Sequence, residues 1–142
     1  MKYKNGHFYI EKVSASKIAK KYSTPTYVYS FEKIVSNIEK FIIESLLELG
    51  IKAYKKNNIV GIWTLDLEKK EAKIGSLGLR VSKGIIYHGL SLNVSCDLSN
   101  FYKINPCGIK GSRVTSVKNL KNLINKNEVY KVLKRKVKIL FN

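Results

Sequence analysis

Cys107 stands in Ile104-Asn105-Pro106-Cys107-Gly108-Ile109, a setting that could do covalent chemistry. The proline before it removes a backbone donor and fixes the angle of approach. The glycine after it lets a substrate and a free N–H come close. A thiol presented at such a turn becomes a nucleophile when a nearby cation holds it as thiolate. An isolated cysteine is more often structural than catalytic, so composition alone leaves both readings open. His7 and His88 are the only imidazoles that could pair with it. A lysine ammonium could do the same, and Lys73 opens Ile74-Gly75-Ser76-Leu77-Gly78, a glycine-punctuated turn where backbone can approach a ligand. Cys96, by contrast, is expected on the apolar face of a strand.

A second cluster is Tyr87-His88-Gly89-Leu90-Ser91-Leu92-Asn93. Here His88 reads first as a strand-edge histidine satisfied by a hydrogen bond. No metal site is expected, because His88, Cys96, Asp97 and Cys107 lack zinc-type spacing. Gly75-Ser76-Leu77-Gly78 is neither a dinucleotide fingerprint nor a P-loop. Lys134-Arg135-Lys136 and Lys138 form a basic stretch on an amphipathic helix, read as a solvated face or a docking face for an acidic partner.

The elements that must position these residues follow from periodicity and caps. Residues 6–13 read as a strand, and Ser14 caps a helix over Ala15–Tyr22 that Thr24-Pro25 stops. Thr26-Tyr27-Val28-Tyr29 reads as a strand. Ser30 caps a long helix carrying Phe31, Ile34, Ile38, Phe41, Ile42, Leu46 and Leu49 at helical spacing, ended by Gly50. Strands are expected at 51–54, 59–65, 73–82 and 85–95, with a charged loop at 68–71. Residues 97–114 read as mostly loop, followed by helices near 117–125 and 127–140. The pattern indicates an α+β fold.

Composition bounds the partners. The chain has 142 residues, 27 Lys and Arg, 10 Asp and Glu, a formal charge of +17 and 44% hydrophobic residues. That apolar content suffices for a folded core. Only Arg80, Arg113 and Arg135 are arginines, whereas bidentate phosphate and guanine contacts favour arginine. The lysines are scattered, so the charge reads as a solvated surface that steers acidic partners, and a nucleic-acid partner is not expected. No apolar run reaches the roughly 18 residues of a membrane span, and no secretory signal is read at the N-terminus. A cytoplasmic protein is the expectation. Two cysteines do not make a disulfide scaffold.

Taken together, Lys73-Ile74-Gly75-Ser76-Leu77-Gly78-Leu79-Arg80-Val81, Tyr87-His88-Gly89-Leu90-Ser91-Leu92-Asn93-Val94, Asp97-Leu98-Ser99 and Ile104-Asn105-Pro106-Cys107-Gly108 resemble the octanoyltransferase family in order and spacing. The resemblance runs from about residue 41 to the C-terminus. It implies a partial biotin/lipoate protein ligase-like domain, a mixed sheet with flanking helices. It also implies transfer of octanoyl from acyl carrier protein to a lysine of a lipoyl domain through an enzyme thioester. Cys107 would be the acyl-accepting nucleophile, and Lys73 would hold it as thiolate and shuttle protons. Ser76, Leu77 and Gly78, with Gly89, Leu90 and Ser91, would line the acyl-chain site. N–H groups near Gly78 and Gly108 would serve as oxyanion donors. The implied acceptors are lipoyl domains of 2-oxoacid dehydrogenase complexes and the glycine cleavage H protein. No cofactor is implied.

Family members carry an upstream Arg-Gly-Gly segment that has no counterpart here. Residues 1–40 instead resemble the N-terminus of diaminopimelate decarboxylases, through Phe8-Tyr9-Ile10-Glu11 and Ser16-Lys17-Ile18-Ala19-Lys20-Lys21-Tyr22-Ser23-Thr24-Pro25-Thr26-Tyr27-Val28-Tyr29-Ser30. Those enzymes use pyridoxal phosphate on a lysine. The chain leaves the pattern before reaching it, so that group is not expected. The expected organisation is therefore a decarboxylase-like fragment at 1–40 and an octanoyltransferase-like catalytic half-domain at 41–142. Two other readings remain, an inactive fusion or truncation product and a basic nucleic-acid-binding module.

Overall fold

Side-chain oxygens at the helix starts set the helical frame of this chain, whose computed structural model describes residues 2–57, 59–82, 85–104, 109 and 111–140, the side chains of Tyr102 and Leu140 excepted. Ser14 Oγ accepts from the Lys17 N–H at 3.4 Å and opens α1 (Ala15–Tyr22). Ser30 Oγ accepts from the Lys33 N–H at 3.1 Å and opens α2 (Phe31–Glu48). Both caps satisfy N–H groups that a helix start otherwise leaves orphaned.

Ahead of these helices the chain forms a three-stranded antiparallel sheet of β1 (Lys2–Lys4), β2 (His7–Ile10) and β3 (Val13–Ser14). The single strand expected over 6–13 is thus two strands. Asn5 and Gly6 reverse the chain before it with φ of +49° and +72°, a two-residue hairpin turn. Glu11 then latches this sheet to α2. Its carboxylate accepts from Ser30 Oγ–H at 2.8 Å and from the Glu32 N–H at 3.1 Å. These bonds hold the Glu11 carboxyl below its ordinary value, Ser30 contributing most. The strand expected at 26–29 does not form. Its β-branched and aromatic residues have no ladder partner among the described residues, and Tyr27 and Tyr29 stand exposed. Strand propensity describes fit to a neighbouring strand and creates none.

The main sheet has five strands: β4 (Ala53–Lys56), β5 (Ile59–Leu65), β6 (Glu71–Ser82), β7 (Ile85–Leu92) and β8 (Arg113–Val114). Strands β4 to β7 are antiparallel neighbours in chain order, and β8 runs parallel to β6 at Ala72 and Lys73. The architecture is α+β with a mixed sheet, as expected. Strand β7 stops at Leu92 and not at residue 95. The Asn93 N–H donates to Ile74 O at 2.9 Å, its carbonyl accepts from Val117 N–H at 2.9 Å, and its amide donates to Thr115 O at 3.1 Å. This turn takes the chain off the sheet, so Cys96 is exposed and not on a buried strand face. A short 3-10 turn follows at Ser99–Lys103.

Phe41, Ile42 and Leu46 of α2 pack with Ile51, Ile62, Ile74, Val117 and Val129 in one core. Each fully buried aliphatic side chain contributes about 1.5–3 kcal/mol. The helix expected over 117–125 is a single turn, α3 (Val117–Leu120), capped by Ser116. The last helix, α4 (Lys126–Leu140), matches expectation within one residue. Asn125 and Glu128 form its reciprocal capping box, with bonds of 3.0 Å and 2.9 Å. Arg135 and Lys136 then pair with Glu48 at the end of α2. No helix among the described residues is long and apolar enough to cross a membrane.

Candidate functional site

Strand β6 carries Lys73, Ser76, Leu77 and Gly78, so the glycine-punctuated segment lies within the strand expected at 73–82 and forms no turn. Strand β7 carries Gly89, Leu90 and Ser91. The two segments face each other residue for residue: Ser76 opposite Ser91, Leu77 opposite Leu90 and Gly78 opposite Gly89. Sequence reading brought these triplets together as a list, and the hairpin brings them together in space. The cross-strand pairing itself could have been found from the sequence, because Ser82 and Ile85 flank a tight connection that fixes the register.

A bulge decides which way these residues point. Ile62 pairs with Gly75 while Trp63 pairs with Lys73, leaving Ile74 as an extra residue in β6. Ile74 lies in the core, a Cβ on Gly75 would meet Ile62 Cβ at 3.4 Å, and Leu77 packs against the core. The alternation of the strand therefore shifts by one residue between Lys73 and Ser76. Ser76 and Gly78, with Ser91 and Gly89 opposite, share the face of Lys73. Leu77 and its partner Leu90 lie on the other face. The floor beside Lys73 is thus built of small residues, which leaves room above it.

Lys73 is only 4% exposed. Register sets it in a row across four strands, Tyr54, Trp63, Lys73 and Val114. Its Nζ lies 5.7 Å from the centre of the Trp63 ring. Lys56 Nζ lies 4.2 Å from the same ring and 2.7 Å from Glu71 Oε2. Tyr54 Oη–H donates to Glu71 Oε1 at 2.8 Å. Burial, seconded by the Glu71 carboxylate, pushes the Tyr54 phenol up to about 12. Lys56 and then Tyr54 hold the Glu71 carboxyl below its usual range. Lys56, Trp63, Glu71 and Tyr54 all escaped the sequence reading, and only their alternation with Lys73 across paired strands could have signalled them.

Cys107 and Gly108 lie outside the described residues, as do Asn105 and Pro106. The chain that follows them is anchored firmly. Arg113 Nε donates to Asp66 Oδ2 at 2.7 Å and Arg113 Nη2 lies 3.1 Å from Glu68 Oε1. The next residues pair with β6, and Thr115 N–H donates to Lys73 O at 3.0 Å. His88 stands exposed on β7 with φ of +66°, its ring 4.7 Å from that of Tyr87. No group of three or more His, Cys, Asp or Glu among the described residues could hold a metal ion. A cleft of about 850 Å³ lies elsewhere, between α1, the 26–29 segment and the start of α2. It reaches Val81 at the far end of β6 but is not lined by Lys73, Ser76, Gly78, Gly89 or Ser91.

The mixed five-stranded sheet packs its core face against α2, α3 and α4. Residues 13–138 match the lipoyl protein ligase A/B catalytic domain, and the chain belongs to that family. It is 44% identical over 101 residues to the octanoyltransferase of Zymomonas mobilis, covering 71% of this chain and 46% of that protein. It is 44% identical over 99 residues to the octanoyltransferase of Rickettsia bellii, covering 70% of this chain and 47% of that one. The chain spans about half the length of the curated relatives it matches. Its fold is similar to a solved chain of the archaeal lipoylation system of Thermoplasma acidophilum, a bi-partite lipoate protein ligase and its E2 lipoyl domain. That likeness has a TM-score of 0.59 at 16% identity and covers 82% of this chain and 48% of that one.

Proposed function

We propose that this chain carries the cysteine and lysine of an octanoyltransferase site, in the lipoate-biosynthesis branch of its family. The Cys107 thiolate attacks the carbonyl carbon of octanoyl-acyl carrier protein. The new C–S bond forms as the bond to the carrier sulfur breaks, and the carrier leaves as a thiol. The amine of a lysine on a lipoyl domain then attacks the thioester, an amide forms, and Cys107 is released. Lys73 keeps the thiolate paired and passes the proton from amine to leaving sulfur. The octanoyl chain lies along the small-residue floor of Ser76, Gly78, Gly89 and Ser91. Both expected partners are acidic proteins, which suits a formal charge of +17.

What carries the reading is the link between Cys107 and Lys73. Val114 pairs with Lys73 and follows Cys107 by only seven residues in the sequence, a spacing that supports the two acting together. Intact-mass measurement after incubation with octanoyl-acyl carrier protein tests it. The expected result is a single octanoyl adduct on the chain, absent from Cys107→Ala. No adduct, under conditions where a full-length relative acylates, overturns the reading.

A further inference from the structure

We propose that Gly61 and Trp63 of β5 are the positioning residues of Lys73, forming the slot that holds its stem and ammonium. The inference deepens the reading above and rests on Lys73 being the cation of that site. A lysine stem has four rotatable carbons, and a buried one needs a channel that leaves it a single path. Gly61 provides the channel. A Cβ at that position would stand 2.3 Å from Lys73 Cε and 3.0 Å from its Nζ, so any side chain there would displace the lysine. Its φ of +137° also favours glycine.

Trp63, two residues on and directly opposite Lys73, provides the other wall. Its ring face lies within cation–π range of Nζ, and its indole is only 4% exposed. Trp63 Nε1 has no hydrogen-bond partner among the described residues, so a hydrogen bond of its own does not account for the ring's position. The ring's second cation, Lys56, is neutralised by Glu71 at 2.7 Å, which keeps its charge from opposing Lys73.

The test is carried out on the full chain with Trp63→Phe, Trp63→Leu, Gly61→Ala and Lys73→Ala. The first readout is the rate at which an amine-acylating reagent modifies Lys73 at one fixed pH, followed by peptide mass spectrometry with Lys17 as exposed reference. Labelling should rise about threefold in Trp63→Phe and about tenfold in Trp63→Leu, in the order of lost ring attraction, and should also rise in Gly61→Ala. The second readout is octanoyl adduct formation. The saturated rate should fall in the same order, with the half-saturating donor concentration unchanged. Unchanged Lys73 labelling in Trp63→Phe and Gly61→Ala overturns the proposal, and those two variants decide it should Trp63→Leu fail to fold. Equal labelling in the Phe and Leu variants also overturns it, since plain packing would not distinguish a ring from an aliphatic chain. Full acylation by Lys73→Ala would instead sink the role given to Lys73, while the labelling series still reports who holds it.

Discussion

Around Trp63 the charges compensate each other one residue at a time, and their titration is measurable. Glu71 is depressed from its ordinary 4.5 by Lys56 and Tyr54. A depressed carboxyl contributes stability that is fully present above its unfolded value of 4.5 and is lost as the pH falls from there through the lower folded one. Tyr54 is displaced the other way, to about 12. A raised phenol contributes stability below its ordinary value of 10 that is lost as the pH climbs toward 12. Absorbance titration near 295 nm should show one tyrosine ionising close to pH 12. That step should vanish in Tyr54→Phe and move toward 10 in Glu71→Gln. Of this cluster only Lys73 was legible in the sequence, because glycines and a small residue surround it. Tyr54, Lys56 and Trp63 sit ten to nineteen residues away, and only strand pairing makes them neighbours.

Among the elements, helices were read well and strands less so, for a physical reason. A helix announces its start with its own local side chains, and Ser14 and Ser30 cap where their positions suggested. The Asn125–Glu128 box shows the same logic. Asn125→Ala should destabilise the chain by about 1 kcal/mol, read as a lowered denaturation midpoint with unchanged slope. A strand depends on a partner elsewhere: 26–29 has the composition of a strand and no ladder partner among the described residues, whereas Arg113-Val114, in a stretch expected as loop, pairs with β6. Ile74 lies at the bulge with no exposed surface. Ile74→Ala should cost about 2–5 kcal/mol in chemical denaturation. On the proposed mechanism the same change should also slow octanoyl adduct formation, because the bulge sets the phase that puts Ser76 and Gly78 beside Lys73.

At the scale of the molecule, the β6–β7 hairpin extends past β5, which pairs with β6 only as far as Gly75. Val81 and Ile85 are exposed near its end, and a bare edge with apolar side chains invites pairing with another copy. Sedimentation should show association that grows with concentration and weakens in Ile85→Lys. The charge of the whole chain was legible as a number but not as a use, since scattered lysines mark no groove. Its expected effect is on encounter: adduct formation at low donor concentration should slow severalfold between ~0.05 and ~0.5 M salt. One last feature concerns how sequence is free to change. The carbonyls of Lys73 and Ile74, adjacent on one strand, receive the N–H groups of Thr115 and Asn93. The intervening stretch, which includes Cys107, therefore leaves from and returns to almost the same point. Doubling the length of such a closed loop costs only about 0.6 kcal/mol. The two ends of that excursion are thus pinned side by side on β6, so a change in its middle that leaves the buried Leu98 in place should lower thermal stability little even where it abolishes the proposed chemistry.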